Sequence, residues 1–399
     1  MKKNMIALAV AGALVAPVAM ADVTVSGGLQ AELVQIGGNG SQPNGLYAAD
    51  AFQTGKENSG NYGFLKFSAT EDLGGDMKAL AVYNLNANVG DSSKAGLDTR
   101  EAYVGLSAGA YGAVLAGTLP TPYKSSTVGW DPMLATSFQA RGNGGMSILH
   151  NSYASNALAY ANSFAGGMVS VVAALVLDES KSATSTDKTT GKHAKSFSVN
   201  VKPISGLDIA LAYIDVTKFG DLSTLGLGLP AVSSDKDANA TKIGVKYSMG
   251  PFTVAYQHEM INKGLTATGE KGNVDYLTGS FKFDDANTIN VAVGKSSKKI
   301  GALADAGKVD FTGATPVAGG PADAGLALTT SDKDTKYMAI DFNHAFSKNT
   351  SVFVGYRVTD AGDATVTTVD LADATVSPIV KTNVATKESA IGAGLRVNF

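Results

Sequence analysis

The sequence predicts an all-β protein, a transmembrane antiparallel β-barrel of about sixteen strands. The first observation is the final segment, in which Ile391, Ala393 and Leu395 alternate with glycine and polar residues up to the terminal Phe399. An apolar row opposite a small and polar row suits a strand that separates lipid from a water-filled lumen. Similar segments of roughly ten residues recur along the chain, and their connections alternate between short turns and long polar loops.

The alternating segments define sixteen predicted strands, an even number as a closed antiparallel barrel favours. The predicted strands are 22–36, 60–70, 76–88, 98–108, 111–119, 149–162, 168–178, 192–202, 206–217, 239–249, 251–260, 273–283, 286–297, 333–344, 349–360 and 386–399.

The connections between these strands are of two kinds. Short turns rich in Gly, Pro and Asp join one end of each pair, as turn chemistry requires. Long polar loops lie at the other end, at 37–59, 89–97, 120–148, 179–191, 218–238, 261–272, 298–332 and 361–385. Short periplasmic turns and long outer loops are typical of outer-membrane barrels.

Charged residues fall on the polar face of several predicted strands. A charge on the lipid face costs ~2–4 kcal/mol at mid-membrane, so we expect these side chains to face the lumen. The predicted lumen-facing charges are Lys242, Lys246, Lys282, Asp341, Arg357 and Arg396. The segments 76–88, 149–162 and 168–178 alternate poorly, and their outer face is expected to pack on a neighbouring copy of the chain.

The first residues have the pattern of a secretory signal peptide. Lys2 and Lys3 precede an apolar run over residues 5–20, and a small-residue cleavage site follows. Cleavage between Ala21 and Asp22 divides the chain into a signal peptide, 1–21, and one barrel domain, 22–399. An exported chain with an amphipathic terminal strand points to the outer membrane of a Gram-negative cell.

Composition excludes several other classes of protein. After the signal, no segment reaches the ~20 consecutive apolar residues of a spanning helix. The 46 Gly and the charged fraction of 17% fit short strands and turns, and the absence of Cys excludes a disulfide framework. Without Lys2 and Lys3 the chain has 30 basic and 35 acidic side chains, a net charge near −5. A nucleic-acid partner is not expected, because such binding depends on basic surface.

A soluble β-sandwich is the competing architecture, since its strands also alternate. Its apolar face looks inward and its polar face outward, so periodicity alone does not separate the two. The number of strands, the terminal Phe399 and the short turns at one end favour the barrel.

Several motifs resemble the general porins of Gram-negative bacteria. Residues 71–76 read Glu-Asp-Leu-Gly-Gly-Asp, and residues 99–106 read Thr-Arg-Glu-Ala-Tyr-Val-Gly-Leu and lead into Tyr-Gly-Ala-Val at 111–114. Together with residues 23–29 and Phe399, they resemble this family most clearly over 22–125 and at the C-terminus. The resemblance implies a diffusion channel for ions and small hydrophilic solutes, a homotrimer, and a third long loop that folds inward. It also implies contact with lipid and lipopolysaccharide, and an assembly machinery that recognises Phe399.

The third long loop is 120–148 in this sequence. It contains Pro122, Trp130, Asp131 and a glycine-rich stretch that follows Arg141. A loop that folds against a barrel wall needs tight bends and positive φ angles, which glycine adopts readily. An exposed flexible tip would also explain the glycines, so the constricting role depends mainly on the position of the loop in the chain.

The resemblance implies a pore constriction with basic residues on the wall and acidic residues on the loop. Arg100 stands at the usual lumenal arginine, whereas Gly28, Phe64, Thr118 and Ala159 stand where other basic residues are usual. Our hypothesis is a wide, weakly charge-selective pore. Its predicted constriction residues are Arg100, Lys66, Asp131 and Arg141, with Arg100 and Lys66 opposing Asp131.

Chemical sites other than a pore have little support in the sequence. The four His are dispersed and Cys is absent, so we expect no metal site and no cofactor. The acidic residues Asp360, Asp363, Asp370 and Asp373 lack the ladder of a dedicated calcium loop. His150 and Ser152 share a strand face but have no orienting partner or nucleophile elbow, so the chain is not expected to be an enzyme.

Two alternatives to a general channel remain open. A substrate-specific channel would use lumenal aromatic residues, for which the candidates are Phe64, Tyr276, Tyr337 and Phe353. A receptor or adhesin barrel would act through the long loops at 298–332 and 361–385.

Overall fold

The structure is a computed structural model, and it describes 21–38, 44–48, 62–87, 98–151, 153–177, 193–217, 219, 237–265, 270–297, 326–331, 333–369 and 380–399. The predicted signal before Ala21 and much of the long loops lie outside these residues. None of the helices in the described residues is long and apolar enough to cross a membrane.

Eighteen strands occur in the described residues. They are β1 Asp22–Gly38, β2 Gly45–Ala48, β3 Phe64–Gly74, β4 Met77–Asn86, β5 Asp98–Ala108, β6 Ala113–Pro120, β7 Tyr153–Phe164, β8 Val169–Val176, β9 Ala194–Val201, β10 Leu207–Asp215, β11 Asn239–Met249, β12 Phe252–Ile261, β13 Gly272–Lys282, β14 Asn287–Ser296, β15 Leu326–Ser331, β16 Thr335–Ala345, β17 Thr350–Val369 and β18 Val380–Asn398. One short helix, α1, spans Pro122–Ser125, and short 3₁₀ turns lie at Gly109–Tyr111, Val128–Trp130, Ile148–Asn151, Ala165–Gly167 and Lys263–Leu265.

Sixteen of these strands close into an antiparallel barrel, which confirms the predicted fold class. Closure occurs along β1, whose first half pairs with β3 and whose second half pairs with β18. Gly28 lies at the change of partner and is in register with both Phe64 and Asn398. The short strands β2 and β15 pair with β1 and β17 at the loop end of the barrel. Closure leaves no free strand edge, as a sheet in lipid requires.

The predicted strand positions agree with the barrel strands to within a few residues, with three differences. β7 begins at Tyr153, because residues 148–151 form a 3₁₀ turn that ends the preceding loop. Part of the expected loop 361–385 continues the hairpin of β17 and β18, where Thr and Val favour extended backbone. The expected loop 298–332 contains β15.

The barrel is apolar outside and polar inside. On β12, Val254 and Tyr256 face outward with 51% and 42% of their surface exposed, whereas Gln257 and Glu259 face inward and are buried. The same alternation runs through β13, β16 and β18. A soluble sandwich would show the opposite arrangement, so the exposed apolar wall fits a surface in contact with lipid.

The inward faces of the strands contact a single long segment, which we call the inward loop, residues 121–151. It begins with α1, where Thr121 caps the helix by accepting a hydrogen bond from the Lys124 amide at 3.2 Å. Pro122 at the first helical position fits the same start. Two buried apolar clusters hold the loop to the wall, one around Tyr123 and Leu149 and one around Phe138.

Candidate pore constriction

The inward loop covers one part of the inner barrel wall and leaves the other part open to the lumen. We call these parts the covered wall and the open wall. The residues of the loop pack against β1, β8–β14 and β16–β18, which form the covered wall. The remaining wall, from β3 to β7, forms the other side of the lumen. The position of the predicted loop 120–148 therefore agrees with the observed constricting segment.

A buried polar cluster anchors both ends of the inward loop to β11 and β12. Lys242 and Glu259 are in register on these neighbouring strands and have no exposed surface. Lys242 donates from Nζ to the Tyr123 carbonyl at 2.5 Å and to His150 Nε2 at 2.9 Å. Glu259 accepts from the Tyr123 hydroxyl at 2.8 Å and from the Ser147 hydroxyl at 2.5 Å. The ammonium group of Lys242 and the carboxylate of Glu259 thus both bind polar groups of the loop. These hydrogen bonds offset the free-energy cost of burying the two charges.

His150 is held neutral within this cluster. Its Nδ1 lies 3.1 Å from the Ser147 carbonyl, which can only accept, so Nδ1 carries the hydrogen and Nε2 accepts from Lys242. Burial and the nearby Lys242 charge lower the pKa of His150 well below its usual value. The imidazole is therefore an uncharged link between loop and wall.

Asp131 lies inside the inward loop and does not face the lumen. Its carboxylate is 3% exposed and accepts from the Ala140 amide at 2.7 Å, the Met133 amide at 3.0 Å and the Tyr276 hydroxyl at 3.0 Å. Burial raises the pKa of Asp131, although these donors oppose the shift. The sequence predicted that Asp131 faces the lumen opposite Arg100. In the structure its carboxylate instead binds amides within the loop and attaches the loop to Tyr276 of β13.

A further group of contacts attaches the middle of the loop to β1 and β18. Glu32 accepts from the Ser137 amide at 3.1 Å. Gln30 donates to the Ala135 carbonyl at 2.7 Å and accepts from Arg396 Nε at the same distance. Arg396 also donates to the Leu134 carbonyl at 3.3 Å, so this predicted lumen-facing charge holds the loop.

The glycine-rich end of the loop approaches the wall at backbone distance. A Cβ atom on Gly294 of β14 would lie 2.5 Å from the Gly145 Cα, so neither strand nor loop tolerates a side chain here. Ser296 donates to the Gly144 carbonyl at 2.7 Å and Thr359 to the Asn143 carbonyl at 2.9 Å. The glycines therefore serve close packing against β14 and β17.

Three cationic side chains meet where the loop faces the open wall. Lys124 Nζ lies 3.5 Å from the Asn151 carbonyl and 3.2 Å from the centre of the Tyr153 ring. Arg141 donates to the adjacent His150 carbonyl at 3.4 Å. Arg100 lies close enough to lower the pKa of both, beyond the larger effect of burial. The nearby carboxylate of Glu101 has the opposite effect on the pKa of Lys124, which it raises.

A β-bulge in β5 positions Arg100. Glu101 is in register with Asn84 and Thr99 with Leu85, so Arg100 is the extra residue between them. A bulge redirects a side chain relative to the regular alternation. Arg100 donates to the Asn86 side chain at 2.6 Å and to the Gly63 carbonyl at 3.2 Å, which holds the guanidinium at the open wall.

The other predicted pore residues also lie on the inward face. Lys66 is partly exposed on β3 and makes no ion pair among the described residues. Lys246 pairs with Asp208 at 3.7 Å, and Lys282 pairs with Asp285 at 3.1 Å beside a short turn. The other two side chains are buried on the covered wall. Asp341 accepts a hydrogen bond from Asn290 at 2.7 Å, and Arg357 forms an ion pair with Glu388 at 2.7 Å.

Sequence reasoning did not identify Lys124, Tyr123 or Glu259 as site residues. Lys124 lies two residues after Pro122 in the predicted loop, which was a usable signal, but the loop partners of Glu259 are more than one hundred residues away. The aromatic candidates Tyr276, Tyr337 and Phe353 lie buried beneath the inward loop, and Phe64 alone of the four is partly open to the lumen. Ser152, which shares a predicted strand face with His150, lies outside the described residues. No group of three metal-ligating side chains occurs in the described part of the chain.

Solved structures with the same fold support this description. An anion-selective porin from Comamonas acidovorans is 15% identical, with a TM-score of 0.64 over 95% of this chain and 100% of that one. OmpF of Salmonella typhi, in complex with daunomycin, is 15% identical with a TM-score of 0.58 over 95% and 100%. A loop-deletion form of OmpT, an outer membrane protein of Vibrio cholerae, is 11% identical with a TM-score of 0.57 over 95% and 99%. A comparison with curated protein sequences finds no match.

A closed barrel with an apolar outer wall and a polar lumen narrowed by its own loop defines a passive outer-membrane diffusion channel. The family model described as Gram-negative porin matches residues 7–364. The chain therefore belongs to the Gram-negative porin family, and its barrel lies in the outer membrane.

Proposed function

We propose that this channel passes small hydrophilic solutes and ions with a preference for anions, set by Arg100 and Arg141 at the constriction. The observation that carries this proposal is a difference in exposure between the acidic and the basic side chains near the constriction. The carboxylates Asp131 and Glu259 are buried between loop and covered wall, whereas Arg100 and Arg141 keep part of their surface toward the lumen.

Three further carboxylates on the covered wall support the same sign of selectivity. Glu32, Asp341 and Glu388 are each less than 11% exposed and receive hydrogen bonds from protein donors. Lys66 adds a partly exposed cation to the open wall. A permeating ion passes within a Debye length, about 8 Å, of these groups, so an excess of partly exposed cations over exposed carboxylates favours anions there. The preference is modest, because Glu101 lies within the same cluster.

The experiment compares reversal potentials of purified barrels in a planar bilayer under a salt gradient. Arg100→Gln should shift the reversal potential toward cation permeation, and the double variant with Arg141→Gln should shift it further. Lys282→Gln is the matched control, since it removes one cation beside a short turn, away from the constriction. An Arg100→Gln barrel with the reversal potential of the parent would contradict the proposed role of Arg100.

The proposed channel is a homotrimer. A groove on the outer wall across β3–β6 is lined by small side chains, Ala69, Ala79, Ala81 and Ala116, beside Val104. Small residues allow another curved wall to approach closely, and β4 covers most of a segment that the sequence predicts to face a neighbouring copy. The larger apolar side chains of β11–β14 then face lipid and, in the outer leaflet, lipopolysaccharide.

The proposed partners also include the outer-membrane assembly machinery, which would recognise Phe399. The Phe399 ring is 62% exposed at the end of β18 and lies over Gly27 of β1. An exposed aromatic side chain at the closing seam is accessible to a partner protein while the barrel forms.

A further inference from the structure

Two aromatic rings lie side by side on the open side of the lumen. Tyr62 and Phe64 meet edge to face, with ring centres 5.8 Å apart. Both contact the backbone of Gly28, where a Cβ atom would lie 2.6 Å from the Tyr62 ring and 2.8 Å from the Phe64 ring. We call Tyr62 and Phe64 the aromatic platform. Glycine at position 28 is therefore the residue that lets the aromatic platform lie against β1.

Cationic side chains border the aromatic platform on both sides. The Arg396 guanidinium lies 3.9 Å from the centre of the Tyr62 ring. Arg100 donates to the carbonyl of Gly63, the residue between the two rings, at 3.2 Å. Lys66 is two residues beyond Phe64 and therefore on the same face of β3. A planar apolar surface and at least two cations are thus within reach of one small solute.

The aromatic platform differs from the other candidate lumenal aromatics in its accessibility. Tyr276, Tyr337 and Phe353 are at most 3% exposed beneath the inward loop, so a solute does not reach them. Tyr62 and Phe64 are partly exposed. Phe64 and Gly28, against which the platform lies, stand at positions where the resemblance implied basic residues. Aromatic surface therefore replaces some of the expected positive charge at this side of the lumen.

We propose that the aromatic platform and its bordering cations recognise small aromatic carboxylates as preferred solutes of this channel. The ring of the solute stacks on Phe64 in an offset or edge-to-face arrangement, and its carboxylate binds Arg100 and Lys66. This proposal rests on the proposed anion preference, and it adds a selection among anions that charge alone does not provide.

The test measures the permeability ratio of benzoate to gluconate from bi-ionic reversal potentials of the assembled protein in planar bilayers. Phe64→Leu keeps an apolar side chain of similar size and removes the ring. It should lower the benzoate-to-gluconate ratio about two- to tenfold, the range expected for losing one aromatic pair. Phe342→Leu, on the outer face of β16, is the matched control and should leave the ratio unchanged.

The outcomes separate this proposal from the anion preference. An unchanged benzoate-to-gluconate ratio in Phe64→Leu would overturn the aromatic platform, whatever Arg100→Gln does. Arg100→Gln should lower the permeability of benzoate and gluconate together relative to sodium. If Arg100→Gln leaves both unchanged while Phe64→Leu lowers benzoate alone, then the platform acts without the anion preference and the carboxylate contact is wrong.

Discussion

At the scale of single residues, the buried charges of the lumen hold the inward loop in place. Lys242 and Glu259 have no exposed surface, yet each meets protein donors or acceptors from both ends of the loop. Removing one partner would leave the other charge buried without compensation, which is strongly destabilising. We expect these residues to influence permeation through the position of the loop.

His150 makes the loop anchor sensitive to acid. Its pKa is lowered in the folded state from a usual value of 6.5, so below that pH the released loop binds a proton that the anchored loop does not. Anchoring should therefore weaken as the pH falls below about 6.5, by up to roughly 1.4 kcal/mol per pH unit. Asp131 has the opposite sign, because its raised pKa favours proton uptake in the anchored state.

The single Trp of the chain, Trp130, reports this transition because it lies in the inward loop and is 8% exposed. Iodide quenching of its fluorescence should increase between pH 7.5 and pH 4.5. His150→Gln keeps a side chain that can accept from Lys242 but does not titrate, and it should remove most of this increase. Equal pH dependence in the two proteins would show that His150 is not the titrating group.

The sequence predicts the strand face that a residue occupies better than it predicts the contacts of that residue. The lumenal position of Lys242 followed from its alternation with Ile243, since every strand meets the same contrast between lipid and water. Its contact with Tyr123 joins residues 119 positions apart and depends on how the loop folds. Asp131 shows the same limit, because local hydrogen bonds within the loop determine where its carboxylate points.

At the scale of elements, the two ends of the barrel sequence meet in one seam. β1 pairs with β3 and then with β18, and Phe399 exchanges two backbone hydrogen bonds with Gly27 at 2.8 and 3.0 Å. Strand positions were predictable because alternation repeats in each strand. The extension of β17 and β18 beyond the barrel wall was not predictable from the sequence, because outside the membrane both faces of a strand meet water and the alternation of apolar and polar residues is lost.

Deleting Phe399 should impair barrel assembly, because it removes both hydrogen bonds at the seam and the exposed ring. The measurement is the fraction of heat-modifiable, membrane-inserted protein against unassembled periplasmic protein in cells. Phe399→Tyr, which keeps the backbone pairing and an aromatic ring, is the control and should assemble normally. Normal assembly of the deletion variant would contradict the proposed recognition of Phe399.

At the scale of the whole molecule, the barrel combines an apolar outer wall with an unequal lumen. One wall is covered by the inward loop through buried polar contacts, and the other keeps Arg100, Lys66 and the aromatic platform open to solutes. The sequence predicted the barrel and the position of the loop, whereas the division between covered and open walls required the structure. The proposed charge selectivity depends on that division, since it decides which ionised groups a permeating ion meets.

The most direct test of the account is the single-channel conductance and reversal potential of the purified mature protein in a planar bilayer under a salt gradient. We expect large conductance steps in groups of three, with a reversal potential of the sign that anion permeation gives. Steps of a single size without grouping would contradict the trimer. A folded barrel that gave no steps would contradict the open channel, and one that reversed at a cation-selective potential would contradict the proposed anion preference.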